Sequence, residues 1–134
     1  MVMSVRQTSD PAIEPVALEE AKAHLRVDDS VDDALITAII SASRQFIENE
    51  LQSALIQRYY TLNLDELPSE IILPWPPLVS VTTLKYRDTD GVQTTMPATT
   101  YRTVANTRPG RIVLENGQSW PSTEHLPDSI EIVY

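Results

Sequence analysis

The sequence predicts an α+β fold in which one short and one long helix precede a small, mainly antiparallel β-sheet with proline-rich loops. Two observations carry this prediction. Apolar residues recur with helical spacing up to about residue 54 and alternate with polar residues beyond it. In addition, all three glycines lie in turn-forming dipeptides of the later part, and most of the ten prolines fall in its connections.

The length and composition predict a single domain over residues 1–134. A chain of 134 residues with 42% hydrophobic content is large enough to bury one core. We expect residues 1–14 to form a mobile leader, residues 15–54 the helical part and residues 55–134 the β part. There is no cysteine and no apolar run of the about 20 residues that span a bilayer, so we expect a protein made in the cytoplasm without disulfides or membrane contact.

Two helices are predicted in the first half of the chain. The short helix covers Pro15–Arg26, with Leu18 and Leu25 on one side. The long helix begins near Ser30, and Asp33 three residues later makes an acidic variant of the capping box.

The long helix has an apolar and a polar face. The apolar stripe consists of Leu35, Ile36, Ile39, Ile40, Phe46, Ile47 and Leu51, and the opposite face of Thr37, Ser41, Arg44, Glu48 and Gln52. We therefore expect Phe46 to be buried and Arg44 to be exposed. The short helix is too small to cover the whole stripe, so a further partner surface is expected.

Four strands are predicted in the second half. They lie at Tyr60–Leu64, Val79–Arg87, Ile112–Leu114 and Ile130–Ile132. The second of them changes phase between Val81 and Leu84, which predicts a bulge or burial on both faces. Turns are predicted at the dipeptides Asp90-Gly91, Pro109-Gly110 and Asn116-Gly117.

Charge is distributed unevenly along the chain. The net charge is −9, yet residues 79–111 contain five basic residues and two acidic ones. The basic residues are Lys85, Arg87, Arg102, Arg108 and Arg111. An acidic protein is a poor nucleic-acid binder, so this segment predicts contact with an acidic surface of a subunit or partner, or else an ordinary solvated hairpin.

Both tryptophans lie in proline-stiffened loops, Trp75 in Pro74-Trp75-Pro76-Pro77 and Trp120 before Pro121. A rigid loop loses little entropy on docking, which makes both side chains candidates for an interface. The alternative is that both rings cap the small sheet.

No set of residues predicts catalysis, a metal site or a cofactor. The acidic cluster Asp28, Asp29, Asp32 and Asp33 lacks the spacing of a calcium-binding loop, and the histidines, His24 and His125, lie on different elements. Ser119, His125 and Asp128 lack a nucleophile elbow, and three isolated glycines form no phosphate loop.

An ordered set of segments resembles the head-tail connector proteins of phages and prophages. The segments are Pro15–Asp28, Asp33–Ile36, Phe46–Glu48, Leu73–Val81, Tyr86, Asp88–Gly91, Tyr101, Pro109–Ile112 and Trp120-Pro121. Two departures stand out. Leu51-Gln52-Ser53 replaces a sequence of the Thr-Gly-Arg type after the long helix, so the usual glycine cap is missing, and relatives commonly continue into C-terminal helices beyond the last strand.

The resemblance implies a structural, non-enzymatic protein without cofactors at the head-tail junction of the virion. It implies a homo-oligomeric, dodecameric ring between the portal protein and a downstream stopper or tail-completion protein, with DNA passing through the channel without specific binding. Because a basic channel would retain phosphates, we expect acidic or neutral residues at the lumen and the basic segment away from it.

Two other functions stay open from the residues alone. One is a carbohydrate- or peptide-binding accessory module that uses Trp75 and Trp120. The other is a small hydrolase with acidic catalytic residues such as Asp65, Glu66 or Glu70, which would require a cleft with a perturbed carboxylate pair.

Overall fold

The computed structural model describes residues 3–134 and confirms the α+β class. The elements are β1 (Met3–Gln7), α1 (Leu18–Leu25), α2 (Asp33–Leu51), β2 (Tyr60–Leu64), β3 (Glu70–Leu73), β4 (Thr83–Arg87), β5 (Gln93–Thr95), β6 (Tyr101–Val104), β7 (Gly110–Leu114) and β8 (Ile130–Val133). The chain divides into two compact units, a helical unit of Pro11–Arg58 and a β unit that combines the residues up to Asp10 with Tyr59–Tyr134. No helix in residues 3–134 has the length and apolar character needed to cross a membrane.

The β unit contains two antiparallel sheets. Five strands lie in the order β1-β2-β8-β4-β5 and three in the order β3-β7-β6. Leu62, Ile132 and Leu84 stand opposite one another on β2, β8 and β4, and all three are fully buried. This row of cross-strand contacts explains the alternation of apolar and polar residues in these strands, since the apolar side chains share the face that meets the core. Thr61, on the opposite face of β2, is also buried.

Five residues of the segment predicted as a leader, Met3–Gln7, form the strand β1. This strand pairs with β2 in the register Met3↔Leu64 to Gln7↔Tyr60. Four of its five side chains are exposed. An edge strand is held mainly by backbone hydrogen bonds, so it carries no strong hydrophobic alternation in the sequence.

The predicted strand Val79–Arg87 is shorter than expected, because β4 begins at Thr83. Val79 is exposed, whereas Leu84 is fully buried at the centre of the sheet. The change of phase therefore reflects the end of a loop and not a bulge within a strand.

Gly110 is not a turn residue but the first residue of β7, opposite Leu73 of β3. A Cβ atom at this position would lie 2.5 Å from the Cβ atom of Leu78. Glycine is thus required by the close approach of another chain segment. Gly91 and Gly117 do adopt positive φ angles, of 77° and 76°, as expected for turns.

The helical unit contains the two predicted helices, but they begin and end at other residues than expected. α2 begins at Asp33 without a side-chain cap, so the predicted capping box of Ser30 and Asp33 is wrong; the Asp33 carboxylate instead accepts a hydrogen bond of 2.7 Å from Lys22 Nζ. At its other end Gln52 adopts the left-handed conformation, with φ 47°. The backbone N–H of Ser53 then donates to the carbonyl of Glu48 at 3.1 Å, so the missing glycine does not prevent an ordered cap.

Candidate interaction surfaces

A buried cluster of charges holds the helical unit together. Arg44 and Glu48, one helical turn apart on α2, are only 5% and 3% exposed. Arg44 Nε donates to Glu14 at 2.6 Å and Nη1 to Glu48 at 2.8 Å, while the guanidinium of Arg58 donates to the other oxygen of Glu48. The backbone N–H of Leu55 donates to that same oxygen at 2.8 Å. Arg44 and Glu48, two members of the predicted polar face of α2, therefore point inward, contrary to the sequence prediction, whereas Thr37 and Gln52 are exposed.

Burial of these charges is compatible with folding because each has several partners. Desolvation by burial raises the pKa of Glu48, whereas the hydrogen bonds from the Leu55 N–H and the Arg44 guanidinium lower it. The lowering is the larger effect, so the pKa of Glu48 lies below its usual value. The cluster has no signature in the local sequence because its members come from separate segments. The one available signal was the spacing of four residues between Arg44 and Glu48.

The expected core position of Phe46 is wrong, since this side chain is 66% exposed. Ile36 is the one buried member of the predicted apolar stripe. A series of exposed apolar residues runs along the outside of α2 and is called the outer stripe below: Leu35, Ile39, Ala42 and Phe46. The apolar pattern does form a face of a helix, but most of its side chains are exposed in the part of the chain that the structure describes.

Trp75 belongs to an aromatic stack in the β unit. Its ring lies parallel to that of Tyr60, with centroids 5.9 Å apart, and Tyr60 also stacks on Tyr134 at 5.8 Å. The Tyr134 hydroxyl donates to the carbonyl of Pro74 at 3.0 Å, and burial raises the pKa of Tyr134. One face of the Trp75 ring is thus occupied within the chain, and the loop that carries it is anchored.

Trp120 is anchored in a different way. Its indole Nε1 donates to the backbone carbonyl of Pro68 at 2.8 Å, and the residue is half-buried. Both tryptophans therefore contribute to the packing of the β unit, and each keeps an accessible part. Their role at an interface stays a prediction.

Most of the basic segment is already paired within the β unit. Arg102 Nε donates to Glu115 at 3.0 Å, Arg111 Nη1 to Glu70 at 2.6 Å, and Lys85 Nζ lies 3.7 Å from a carboxylate oxygen of Glu131. Arg87 Nη1 donates to the carbonyl of Gly91 at 3.3 Å. Arg108 is exposed, and within residues 3–134 it makes no ion pair. Much of the positive charge predicted to meet a partner is thus balanced internally.

The β unit also contains an apolar cavity of about 310 Å³ that the sequence did not predict. It is lined by Met3, Leu64, Pro68, Glu70, Ile71, Ile72 and Pro74. Its one charged residue, Glu70, binds Arg111. The cavity has no sequence signature because its lining includes β1 and β3, two strands without strong periodicity.

The residues considered for chemistry serve structural contacts. Asp33 binds Lys22, an Asp29 carboxylate oxygen accepts the N–H of Val31, and an Asp65 oxygen accepts the N–H of Asp128. In the part of the chain that the structure describes, no group of His, Asp and Glu side chains is arranged to hold a metal ion.

The hydrolytic set considered from sequence does not come together either. Ser119, His125 and Asp128 are all exposed, and among residues 3–134 no hydrogen bond joins their side chains. A Ser–His hydrogen bond, which nucleophilic catalysis of this type requires, is therefore not formed by these residues.

Comparison with known proteins agrees with the resemblance. The chain matches the family described as phage gp6-like head-tail connector protein over residues 15–105. No curated protein matches it. A chain in the neck of an empty GTA particle, computed with C6 symmetry, is 23% identical, with a TM-score of 0.75 and coverage of 97% of this chain and 68% of that chain.

Two further structures come from native gene transfer agent (GTA) particles. A chain of the virion is 25% identical, with a TM-score of 0.69 and coverage of 96% of this chain and 69% of that chain. A chain of the neck, computed with C12 symmetry, is 25% identical, with a TM-score of 0.67 and coverage of 97% of this chain and 67% of that chain. The family match spans more than half of the sequence. The protein therefore belongs to the phage gp6-like head-tail connector family and is a structural component of the head-tail junction.

Proposed function

We propose that this connector forms a ring of twelve identical subunits between the portal and a downstream stopper or tail-completion protein, and that DNA passes through the ring without specific binding. The observation that carries the proposal is the similarity to a chain of a particle neck computed with C12 symmetry. A related chain comes from a neck computed with C6 symmetry. Both symmetries are compatible with twelve copies, because a twelvefold ring also has sixfold symmetry.

The connector acts without chemistry of its own and needs no cofactor. Support comes from how its polar groups are used: the carboxylates of Glu14, Glu48, Glu70 and Glu115 all bind arginine side chains of the same chain. Groups engaged in this way stabilise the subunit and are not free to transfer protons or hold a metal.

Charge supports passage of DNA without retention. A subunit with net charge −9 repels phosphates, and three of the five residues of the basic segment, Lys85, Arg102 and Arg111, pair with carboxylates of the same subunit. Acidic and neutral residues face the lumen in this proposal. Arg108, with the accessible parts of Trp75 and Trp120, lies at contacts with a neighbouring subunit or partner.

Deletion of the gene tests the connector role. The mutant phage or prophage particle is expected to package DNA into heads and to assemble tails that do not join, because no enzymatic step is lost and only the junction is missing. Electron microscopy of lysates, with complementation by the wild-type gene as control, measures joined particles. Normal virions from the deletion would contradict the proposed function.

Arg108→Glu tests the role of the Arg108 charge, which makes no ion pair among residues 3–134. We expect weaker assembly on purified portal at low salt and little difference at about 1 M salt, where the Debye length falls to about 3 Å. The free subunit should melt at the wild-type temperature because Arg108 is exposed and makes no ion pair in the described chain. Arg102→Glu is the comparison variant: it makes the same reversal of charge, but unlike Arg108→Glu it breaks an ion pair within the subunit, the one with Glu115. Unchanged assembly across the salt series would exclude Arg108 from the contacts.

A further inference from the structure

The outer stripe has the geometry of a helix-packing surface, and its side chains are exposed among residues 3–134. Leu35, Ile39, Ala42 and Phe46 follow one another at intervals of four, three and four residues, so they fall on one side of α2. Leu35, Ile39 and Phe46 are 59%, 55% and 66% exposed. At a rise of about 1.5 Å per residue the stripe is about 17 Å long. An apolar surface of this length marks an interaction site.

The same part of α2 carries no exposed charge. Between Ala34 and Ile47 the one charged residue is Arg44, and it is buried against Glu14 and Glu48. This contrasts with the net charge of −9 of the whole chain. A charge-free helix face is unlike the surface of a membrane-binding helix, whose polar face is rich in Lys and Arg. It equally lacks the cations that a phosphate backbone requires.

We propose that the outer stripe is covered by a neighbouring copy of this chain, an inference that rests on the proposed ring. Copies that each carry a net charge of −9 repel one another, so they meet at the lowest electrostatic cost where charge is absent. The outer stripe is such a surface, and its apolar side chains supply the gain from burial. Similarity to chains of necks with C6 and C12 symmetry supports an identical neighbour as the occupant.

Closure of a ring places a further requirement on this contact. A ring is built from heterologous interfaces, in which one surface of a subunit meets a different surface of the next. The outer stripe therefore packs against another part of the neighbouring copy and not against the neighbour's own outer stripe.

A pair of variants on adjacent residues tests the inference. Phe46→Glu places a charge in the stripe, whereas Gln45→Glu adds the same charge about 100° around the helix. Native mass spectrometry counts the copies per assembly, for the chain alone and for the chain bound to its portal. We expect Phe46→Glu to raise the concentration needed for assembly about tenfold or more and Gln45→Glu to leave it near wild type. Because both side chains are exposed, the melting temperatures of the free subunits should agree.

Site-specific cross-linking identifies the occupant directly. The chain contains no cysteine, so a Phe46→Cys variant carries a benzophenone maleimide at one position only. Illumination is expected to produce a ladder of covalent multimers of this chain. The peptides cross-linked to position 46 should come from parts of the neighbouring copy outside its outer stripe. The matched Gln45→Cys variant should give far less product.

The outcomes separate the inference from the proposed function. If the wild-type chain forms multi-copy assemblies but Phe46→Glu does so equally well, or if the probe reacts only with the portal or with another stripe, the inference is overturned and the ring stands. If the wild-type chain forms no multi-copy assembly, alone or on the portal, the proposed function itself is contradicted.

Discussion

Arg44→Ala is expected to lower the free energy of unfolding of the subunit by about 3 kcal/mol, the cost of breaking a buried ion pair by removing one partner. The substitution leaves Glu48, which is 3% exposed, without the guanidinium that binds it at 2.8 Å, and it removes the partner of Glu14. Arg58 still neutralises part of the charge of Glu48, which keeps the expected loss at the lower end of the range for buried pairs.

Urea denaturation at subunit concentrations below assembly measures this loss, since guanidinium salts would screen the ion pairs. Phe46→Ala on the same helix is the matched control and should change the free energy of unfolding by no more than about 0.5 kcal/mol, because its side chain is exposed. A larger loss for Phe46→Ala than for Arg44→Ala would contradict the inward orientation of Arg44 and Glu48 on α2.

The same cluster makes stability depend on pH. The folded-state pKa of Glu48 is lowered, so its stabilising contribution is present above the ordinary carboxyl pKa and is lost as the pH falls through the depressed value. Glu48→Gln should therefore be less stable than wild type near neutral pH and should approach it in strongly acidic solution. The measurement is the free energy of unfolding of both proteins from neutral to acidic pH. A constant difference between them over this range would show that Glu48 is not the titrating group.

Gly110→Ala is expected to cost about 2 kcal/mol, through overpacking. The new Cβ atom would lie 2.5 Å from Leu78 Cβ and 2.6 Å from Leu78 Cδ2. Since the nearest atom is attached to the backbone, a change of rotamer at Leu78 does not relieve the overlap, and the segment that carries Leu78 has to move away from β7.

Gly117→Ala is the control variant, because it introduces backbone strain without any steric overlap. Gly117 has a φ of 76°, and a methyl group added there would meet no atom within 4 Å, so alanine incurs only the cost of the left-handed conformation, about 1 kcal/mol. Thermal or urea denaturation of both variants is the measurement. If Gly110→Ala is as stable as wild type, β7 and Leu78 are not in close contact.

Several features of this protein follow from local sequence. The helices and the strands at Tyr60–Leu64 and Ile130–Val133 follow from apolar periodicity, because each element must place its apolar residues on a core-facing side. The turns at Gly91 and Gly117 follow from a conformation that other residues rarely adopt. The connector family was recognisable from the order of its short segments, which span most of the match over residues 15–105.

Tertiary structure alone decided which face of α2 is buried. Periodicity shows which residues share a face, but the choice of the inward face depends on Glu14 and Arg58, which reach Arg44 and Glu48 from outside the helix and satisfy their charges. Contacts between distant segments likewise decided that Met3–Gln7 form a strand and that Gly110 faces Leu78. Sequence thus determined the elements and the family, whereas the burial of charge and the exposure of the outer stripe depend on long-range contacts that no local pattern contains.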